Sequence, residues 1–227
     1  MTKAPCAVVA IVAAAGSGKR LGLKTRKPFV KLAGRPLIVH TLKALSSPKI
    51  IDAIIVAAEP ELVGRFERLV KRYRLAKVAA VVPGGATRTD SVRNCLAHIG
   101  SSFDIVLIHD GGRPFIDSRS IERSVAIARK YGGCLVAVPE NDTVKLVGKD
   151  LFIRKTLDRS RIFRAQTPQV FRRDLIKKAY AAKSVAGATD DAGLVERAGG
   201  RVKILAGSYR NIKITTKEDL KLAEVLI

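Results

Sequence analysis

The chain has 227 residues, 47% of them hydrophobic, and its 42 lysines and arginines exceed its 20 aspartates and glutamates to give a net charge of +22. This apolar share excludes a disordered chain, and a chain of this length can bury a core without disulfides or metal ions. The charge predicts attraction of anions such as phosphates, nucleic acids or acidic lipids, and does not choose among them.

The first apolar run, Ala4–Ala15, follows Lys3 and superficially resembles a short secretory signal. Its β-branched residues and the glycine-rich loop directly after it favour a buried strand instead. No apolar stretch approaches the roughly 20 residues of a membrane span. The cysteines are Cys6, Cys95 and Cys134. Their odd number and the lack of a C-x-x-C pair argue against a disulfide framework or a cysteine zinc site, so we expect a cytoplasmic protein.

Strand-like and helix-like patterns alternate along the chain. Apolar runs of strand length are Ala7–Ala13, Ile50–Ala57, Val78–Val82, Ile105–Ile108 and Leu135–Val138. Helical patterns lie at Pro36–Leu45, Glu61–Tyr73, Ser91–Ile99 and Ser120–Tyr131. This alternation predicts an α/β fold, a Rossmann-like three-layer sandwich around a mostly parallel, twisted sheet. A last helix is predicted to begin at a capping box formed by Thr215 and Glu218.

One charged stretch, Asn141–Gln166, interrupts the alternation. Short apolar groups on either side of Gly148-Lys149-Asp150 predict a hairpin that leaves the main sheet. A polar hairpin of two strands is marginal alone, and another copy of the chain could supply its partner surface. Without a linker or an internal repeat, we expect a single domain over residues 1–227 with a dimerisation arm at about residues 141–166.

A glycine-rich loop, Gly16-Ser17-Gly18-Lys19-Arg20, follows the first strand. Glycines let the backbone approach an anion closely and point N–H groups at it. The loop is not a P-loop, because Arg20 stands where serine or threonine is required, and Gly22 comes one residue late for a dinucleotide fingerprint. Residues 13–35 nevertheless carry seven basic side chains, and no acidic residue precedes Asp52. A cradle for a triphosphate explains this pattern better than a solvated basic surface.

Short segments spread over the chain carry a family resemblance. They are Ala13–Arg20, Lys27–Phe29, Gly34–Leu37, Gly84–Val92, His109–Pro114, Asp142–Lys145, Gln166–Gln169, Thr189–Ala192 and Asn211–Thr215. Together they resemble the 2-C-methyl-D-erythritol 4-phosphate cytidylyltransferases, which belong to the nucleotidyltransferases that join a sugar or polyol phosphate to a nucleoside triphosphate. The resemblance implies that CTP and methylerythritol phosphate react to a CDP-alcohol and pyrophosphate, in the synthesis of isoprenoid precursors by the non-mevalonate route.

The attacking phosphate in such a reaction is already ionised, so positioning and cations matter more than a general base. The resemblance implies catalytic roles for Arg20, Lys27, Arg159 and Lys213. It implies nucleotide contacts for Ala14, Ala15, Gly16, Gly18, Gly85, Ala86, Ser91, Asp110 and Gly111. It implies contacts to the polyol phosphate for Asp110, Arg113, Thr143, Arg159, Thr167 and Lys213. Lys19 and Arg88 are candidates for further cations.

Asp110 follows the strand Ile105–Ile108, and ligands of open α/β sheets bind at the carboxyl ends of strands. The alternative for Asp110 is a turn or capping role, and His109 is predicted to be structural. The alternation of Asn211–Ile214 predicts a strand that directs Lys213 away from its apolar neighbours, whereas the alternative is an ordinary surface lysine.

The resemblance also implies partners. Arm residues of this family reach into the neighbouring subunit's site, so Thr143, Arg159 and Thr167, placed in the arm region, predict a homodimer in which Thr143 and Arg159 act across it. Mg²⁺ is expected to bind through the substrate phosphates, since no carboxylate cluster offers it a cage.

Two other functions stay open at this point. A ribitol 5-phosphate cytidylyltransferase would share the nucleotide loop and much of the arm. A nucleic-acid-binding protein would explain the charge, but aromatic residues make up only 5% of the chain and no recognition motif is present, which argues against this class.

Overall fold

The computed structural model describes residues 7–16, 18–23, 25–181 and 187–227. Cys6, Ser17 and Lys24 lie outside these ranges, and so does the side chain of Lys19. Within the described ranges, no helix is both long enough and apolar enough to cross a membrane.

The elements alternate as the sequence predicts. The strands are β1 (Ala7–Ala13), β2 (Lys31–Leu32), β3 (Arg35–Pro36), β4 (Ala53–Ala58), β5 (Val78–Pro83), β6 (Phe103–Asp110), β7 (Gly133–Pro139), β8 (Lys145–Val147), β9 (Ile153–Thr156), β10 (Phe163–Arg172) and β11 (Lys203–Ala206). The α-helices are α1 (Leu37–Ser46), α2 (Val63–Arg72), α3 (Arg88–Ala97), α4 (Ser118–Tyr131), α5 (Arg173–Ala181), α6 (Asp191–Arg197) and α7 (Lys217–Leu226).

Seven of the strands form the main sheet, in the order β11-β7-β10-β6-β1-β4-β5. Its neighbouring strands are parallel except where β10 meets β6 and β7, with which it pairs antiparallel. The predicted α/β fold with a mostly parallel sheet is therefore confirmed. The order places the parallel strands β6, β1 and β4 side by side, so the loops after these strands lie next to one another.

Helices cover both faces of the sheet, which gives the predicted three layers. Strand β1 shows why, because its successive side chains point to opposite faces. Val8, Ala10 and Val12 pack in one cluster with residues of α1, α2 and α4. Val9 and Ile11 pack in the other, with residues of α3, α5 and α6. A strand buried on both faces needs a continuous apolar run, and this is the pattern seen in its sequence.

The last helix begins one residue later than predicted. Thr216, not Thr215, is the N-cap, and its hydroxyl accepts a hydrogen bond from the amide of Asp219 while the Asp219 carboxylate accepts one from the Thr216 amide. Asp219 also accepts bonds from the amide and hydroxyl of Thr215, at 2.7 and 2.6 Å. An aspartate reaches back this far as well as a glutamate does, and the expected Thr215–Glu218 box is wrong for that reason.

The hairpin predicted outside the main sheet is present as β8 and β9, which pair antiparallel. Strand β10 begins to pair with β7 at Phe163, so the segment that leaves the sheet ends before this residue. The apolar side chains at its tip are exposed, with 81% for Leu151 and 72% for Phe152. We call residues 140–162 the arm from here on.

Candidate active site

A cavity of about 610 Å³ opens at the carboxyl edge of the central strands. It is lined by Ala13, Ala14, Ala15, Gly16, Gly18, Arg20, Lys27, Pro28, Gly85, Ala86, Thr87, Arg88, Ser91, Asp110, Gly111, Gly112 and Lys213. The structure thus brings together every residue for which a nucleotide contact is predicted, and with them Arg20, Lys27 and Lys213. The chain reaches this edge four times, after β1, β5 and β6 and again before α7.

The floor of the cavity is backbone. The loop after β1 is held by a bond from the Ala14 amide to the Ala57 carbonyl, at 2.9 Å, and the Gly111 amide bonds to the Ala13 carbonyl at 3.0 Å. Gly18 has a φ of +65°, and a Cβ on it would lie 2.4 Å from the Cβ of Lys27. Only glycine fits there, since it accepts both the left-handed backbone and the contact with Lys27.

The N-terminus of α3 forms one wall. Thr87 and Asp90 form a capping box at its start. The Ser91 hydroxyl accepts a bond from the Gly85 amide at 3.1 Å and donates one to the Thr87 carbonyl at 2.9 Å. This serine therefore fixes the Gly85–Thr87 loop at the helix end, whose partial positive charge favours a bound anion.

Asp110 lies among three cations. Its carboxylate is 2.8 Å from Lys213 Nζ, 3.3 Å from Arg88 Nε and 3.6 Å from Arg113 Nε. Burial of the carboxyl would raise its pKa, but the surrounding positive charge outweighs burial and holds the pKa of Asp110 well below its usual value. The group is a permanent carboxylate at neutral pH, suited to accept hydrogen bonds from hydroxyls rather than to transfer protons.

Lys27, by contrast, is a cation whose surroundings disfavour its charged form. Burial, and then repulsion by Lys213, lower the pKa of its amine from 10.5 to about 8, although Asp110 opposes the shift. No carboxylate of the described residues forms an ion pair with it. A Cβ on Gly112 would lie 2.6 Å from Lys27 Nζ, so the bare glycine makes room for the amine. Lys27 is thus a desolvated cation that a bound anion would stabilise.

Arg88 joins the cavity to a buried carboxylate behind it. The Arg88 guanidinium bonds to Asp110 on one side and to Asp191 on the other, the latter at 2.7 Å. Asp191, which is completely buried at the start of α6, also accepts a bond from the Tyr180 hydroxyl. Burial of the guanidinium is outweighed by these two carboxylates, which raise the pKa of Arg88. The sequence pattern does not predict that Asp191 and Tyr180 support the site, although Asp191 lies in the segment Thr189–Ala192.

His109 and Thr167 form hydrogen bonds with the backbone on either side of the Asp110 carboxylate. The Thr167 hydroxyl accepts a bond from the Asp110 amide at 3.1 Å and lies 3.0 Å from His109 Nδ1. His109 Nε2 lies 3.0 Å from the Arg113 carbonyl, so this nitrogen carries the proton and Nδ1 accepts from Thr167. Burial lowers the pKa of His109 to about 4, which keeps the imidazole neutral. Both side chains are buried outside the cavity, as a structural histidine would be.

Two expectations need correction here. Thr167 lies in β10 of the main sheet and not in the arm, because its hydroxyl is the partner of the Asp110 amide. Asn211–Ile214 is not a strand, since its amides find single partners in loops, such as the Ile214 amide on the Gly112 carbonyl at 2.9 Å. The segment still directs Lys213 toward Asp110.

The structure places the other predicted residues away from the cavity lining. Arg113 is buried behind Asp110 and donates to the Asn211 carbonyl at 2.6 Å. Thr143 and Arg159 lie exposed in the arm, and the Arg159 guanidinium bonds to the Asn141 carbonyl. Across the described part of the chain, no three histidine, cysteine or acidic side chains cluster in a way that could hold a metal ion.

Known proteins resemble the chain over nearly its full length. The profile of the family described as 2-C-methyl-D-erythritol 4-phosphate cytidylyltransferase (IspD) matches residues 8–227. A relative of that name from Pelotomaculum thermopropionicum is 46% identical, over 97% of this chain and 94% of its own. Another, from Geobacillus thermodenitrificans, is 47% identical over 96% of both chains.

Solved structures agree. The 4-diphosphocytidyl-2C-methyl-D-erythritol synthase of Anaerococcus prevotii superimposes with a TM-score of 0.87 at 31% identity, over 97% of this chain and 96% of that one. The 2-C-methyl-D-erythritol 4-phosphate cytidylyltransferase of Thermus thermophilus gives 0.77 at 30% identity, over 97% and 98%. The chain therefore belongs to the 2-C-methyl-D-erythritol 4-phosphate cytidylyltransferase family.

Proposed function

We propose that the chain transfers CMP from CTP to 2-C-methyl-D-erythritol 4-phosphate and releases pyrophosphate. The single observation that carries this is the cavity itself, which combines a backbone cradle after β1 with Arg20, Lys27 and Lys213 around one permanent carboxylate, Asp110. Two anionic substrates need such a set of cations to approach each other.

The reaction needs no strong base. A phosphate oxygen of the polyol phosphate attacks the α-phosphorus of CTP, a new P–O bond forms, and the bond to the β-phosphate breaks, so that pyrophosphate leaves with the electron pair. Negative charge accumulates on the equatorial oxygens of the five-coordinate phosphorus. Arg20 and Lys27 would stabilise it there, and Lys213 would hold the attacking phosphate. Asp110 would accept bonds from hydroxyls of the ribose and the polyol, since its carboxylate stays ionised.

The proposal includes Mg²⁺, which would bind together with CTP. The only carboxylate that lines the cavity, among the residues that the structure describes, is Asp110, and its oxygens already lie within 3.6 Å of three cations. The protein thus offers no cage of its own, and the ion would be held by phosphate oxygens and water. When bound, it supplies positive charge to the triphosphate.

A homodimer completes the proposal. Leu151, Phe152 and Ile153 expose 81%, 72% and 62% of their surface at the tip of the arm, and a two-stranded hairpin with such a surface is not stable alone. A second copy would cover it. Thr143 and Arg159 would then reach the neighbouring subunit's cavity, since neither lines the cavity of its own chain.

The proposal places the reaction in the cytoplasm. Cys95 and Cys134 are free and buried, which supports a reducing compartment such as the cytoplasm.

The decisive measurement is pyrophosphate release from CTP with methylerythritol phosphate, repeated with ribitol 5-phosphate and with the Lys27→Ala variant. We expect turnover with the first polyol phosphate and a loss of at least a hundredfold in the variant. Equal turnover with ribitol phosphate would favour the sister activity, and no turnover with either would remove the proposal.

The cross-subunit part has its own test in mixed dimers. A subunit with Lys27→Ala and a subunit with Arg159→Ala should together form one complete cavity and regain activity that neither homodimer has. If Arg159 acted within its own chain, the mixture would stay inactive.

A further inference from the structure

Tyr209 ties the arm to the body of the molecule. Its hydroxyl lies 2.7 Å from the Pro139 carbonyl oxygen and 2.9 Å from the side-chain oxygen of Asn141. Pro139 is the last residue of β7, and the arm begins with the next residue. These two contacts therefore join the loop before α7 to the root of the arm, across 68 and 70 positions of sequence.

One hydroxyl donates only one hydrogen. The Pro139 carbonyl can only accept, so it takes the hydrogen of the Tyr209 hydroxyl. The Asn141 amide must then turn its NH₂ group to the tyrosine oxygen, since amide oxygen and nitrogen are assigned from such networks. Both contacts are satisfied in this arrangement, and the Asn141 side chain has a fixed orientation.

Asn141 also binds Arg159, through its backbone. The Asn141 carbonyl accepts the bond from the Arg159 guanidinium, and Thr143 lies two residues further along the chain. Glu140 fixes the same turn from the other side, because its carboxylate accepts the amides of Asn141 and Asp142 at 2.8 and 3.1 Å. The two arm residues predicted to act in the neighbouring cavity are thus held at the point that Tyr209 contacts.

The cavity of the same chain does not depend on this tyrosine. The loop that carries Lys213 is held by Gln166, which donates to the Ser208 carbonyl at 3.0 Å. It is also held by Asn211, which donates to the Thr167 carbonyl at 2.9 Å and accepts from Arg113 at its own carbonyl. Removal of one hydroxyl at Tyr209 leaves all of these bonds in place.

We propose that Tyr209 is a positioning residue for the second substrate that acts in the neighbouring subunit, by setting the direction of the arm at its root and so the place of Arg159. The inference rests on the proposed cytidylyltransferase reaction and on the proposed dimer.

The first test is the Tyr209→Phe variant, which keeps the ring and its contact with the Arg164 guanidinium, 5.8 Å from the ring centroid. We expect the KM for methylerythritol phosphate to rise about three- to tenfold, as for the loss of one neutral hydrogen bond. The KM for CTP and the melting temperature should stay unchanged. Tyr131→Phe is the matched control, since both tyrosines are 46% exposed and Tyr131 lies outside the cavity and the arm. An unchanged KM for the polyol phosphate in Tyr209→Phe would overturn the inference.

The second test separates action within a chain from action across the dimer. In a mixed dimer of a Lys27→Ala subunit and a Tyr209→Phe subunit, the one working cavity receives an arm with native Tyr209. Its KM for methylerythritol phosphate should be that of the native dimer. When Lys27→Ala and Tyr209→Phe are combined in one subunit and paired with a native subunit, the working cavity receives the altered arm and the KM should rise. The reverse pattern would place the effect within the chain and overturn the inference.

Failure of the proposed function gives different results. A native protein without pyrophosphate release disproves the reaction, and a native protein that sediments as a monomer disproves the dimer. A native dimer that turns over and shows the reverse pattern disproves only the role of Tyr209.

Discussion

Lys27 is the residue whose charge state depends most on pH near neutrality. Its pKa of about 8 means that the amine is mostly charged at pH 7 and mostly neutral at pH 9. Only the charged form pairs with a triphosphate. We therefore predict that kcat/KM for CTP falls about tenfold between pH 7 and pH 9, since this parameter reports ionisation in the free enzyme.

The Lys27→Arg variant tests the origin of this decrease, because a guanidinium stays charged over the whole range. Its kcat/KM should be lower than the native value but flat from pH 7 to pH 9. A decrease as steep as in the native enzyme would assign the titration to another group.

Asp191 is a second residue with a clear consequence. It is completely buried, and its partners are the Arg88 guanidinium and the Tyr180 hydroxyl. Asp191→Asn would leave the partly buried Arg88 guanidinium without one of its two carboxylates, and breaking an ion pair whose other partner is fully buried costs about 3 kcal/mol. We predict a lower free energy of unfolding by that amount in urea denaturation, together with weaker binding of CTP as Arg88 moves toward Asp110.

Tyr180→Phe serves as the comparison, because it keeps the charge pair and removes one hydrogen bond to it. The expected loss of stability is about 1 kcal/mol, with CTP affinity unchanged. Equal effects of the two variants would mean that the hydrogen-bond network, and not the charge of Asp191, matters.

Secondary structure elements show what the sequence can and cannot predict. Strand β1 and its loop were predictable because a run buried on both faces is continuous and apolar and ends in glycines. Strand β10 was missed because its inner residues include Gln166, Thr167 and Gln169, buried polar side chains whose bonds go to Ser208, to the Asp110 amide and to Asp190. The sequence of such a strand shows no periodic pattern of apolar residues. Only the tertiary contacts of its polar side chains explain why the segment forms a strand.

The same limit applies to the site. The glycines and cations near the first strand indicate a phosphate-binding loop from the sequence alone, because both act through local chemistry. The link from Arg88 to Asp191 joins residues 103 positions apart, so no local pattern contains it. The structure supplies what sequence spacing lacks, the identity of the carboxylates between which Arg88 lies.

The arm is an element with its own prediction. Leu151→Ser combined with Phe152→Ser removes the most exposed apolar side chains of its tip, so we expect the dimer to dissociate in sedimentation velocity. The monomer should stay folded, since both side chains are exposed in the single chain. Leu222→Ser with Val225→Ser on α7 is the matched control, because these side chains are exposed by 48% and 83% and lie outside the arm. Dissociation in the control, or none in the arm variant, would contradict the assignment.

The charge of +22 is a property of the whole molecule, and the cavity accounts for only a part of it. A field of one sign raises the encounter rate with an anionic substrate, and salt screens it beyond a distance of about 10 Å at 0.1 M. We predict that kcat/KM for CTP falls about tenfold between 20 and 200 mM KCl, while kcat changes by less than about twofold, because encounter is screened and bonds inside the cavity are not.

Exposed Arg68 and Lys71 on α2 lie outside the cavity lining, so their joint change to glutamate should lower kcat/KM and flatten its salt dependence without changing kcat. A native salt profile that is already flat would show that the excess charge does not steer CTP, and RNA retained on a filter at 200 mM KCl would point to nucleic acid as its target instead.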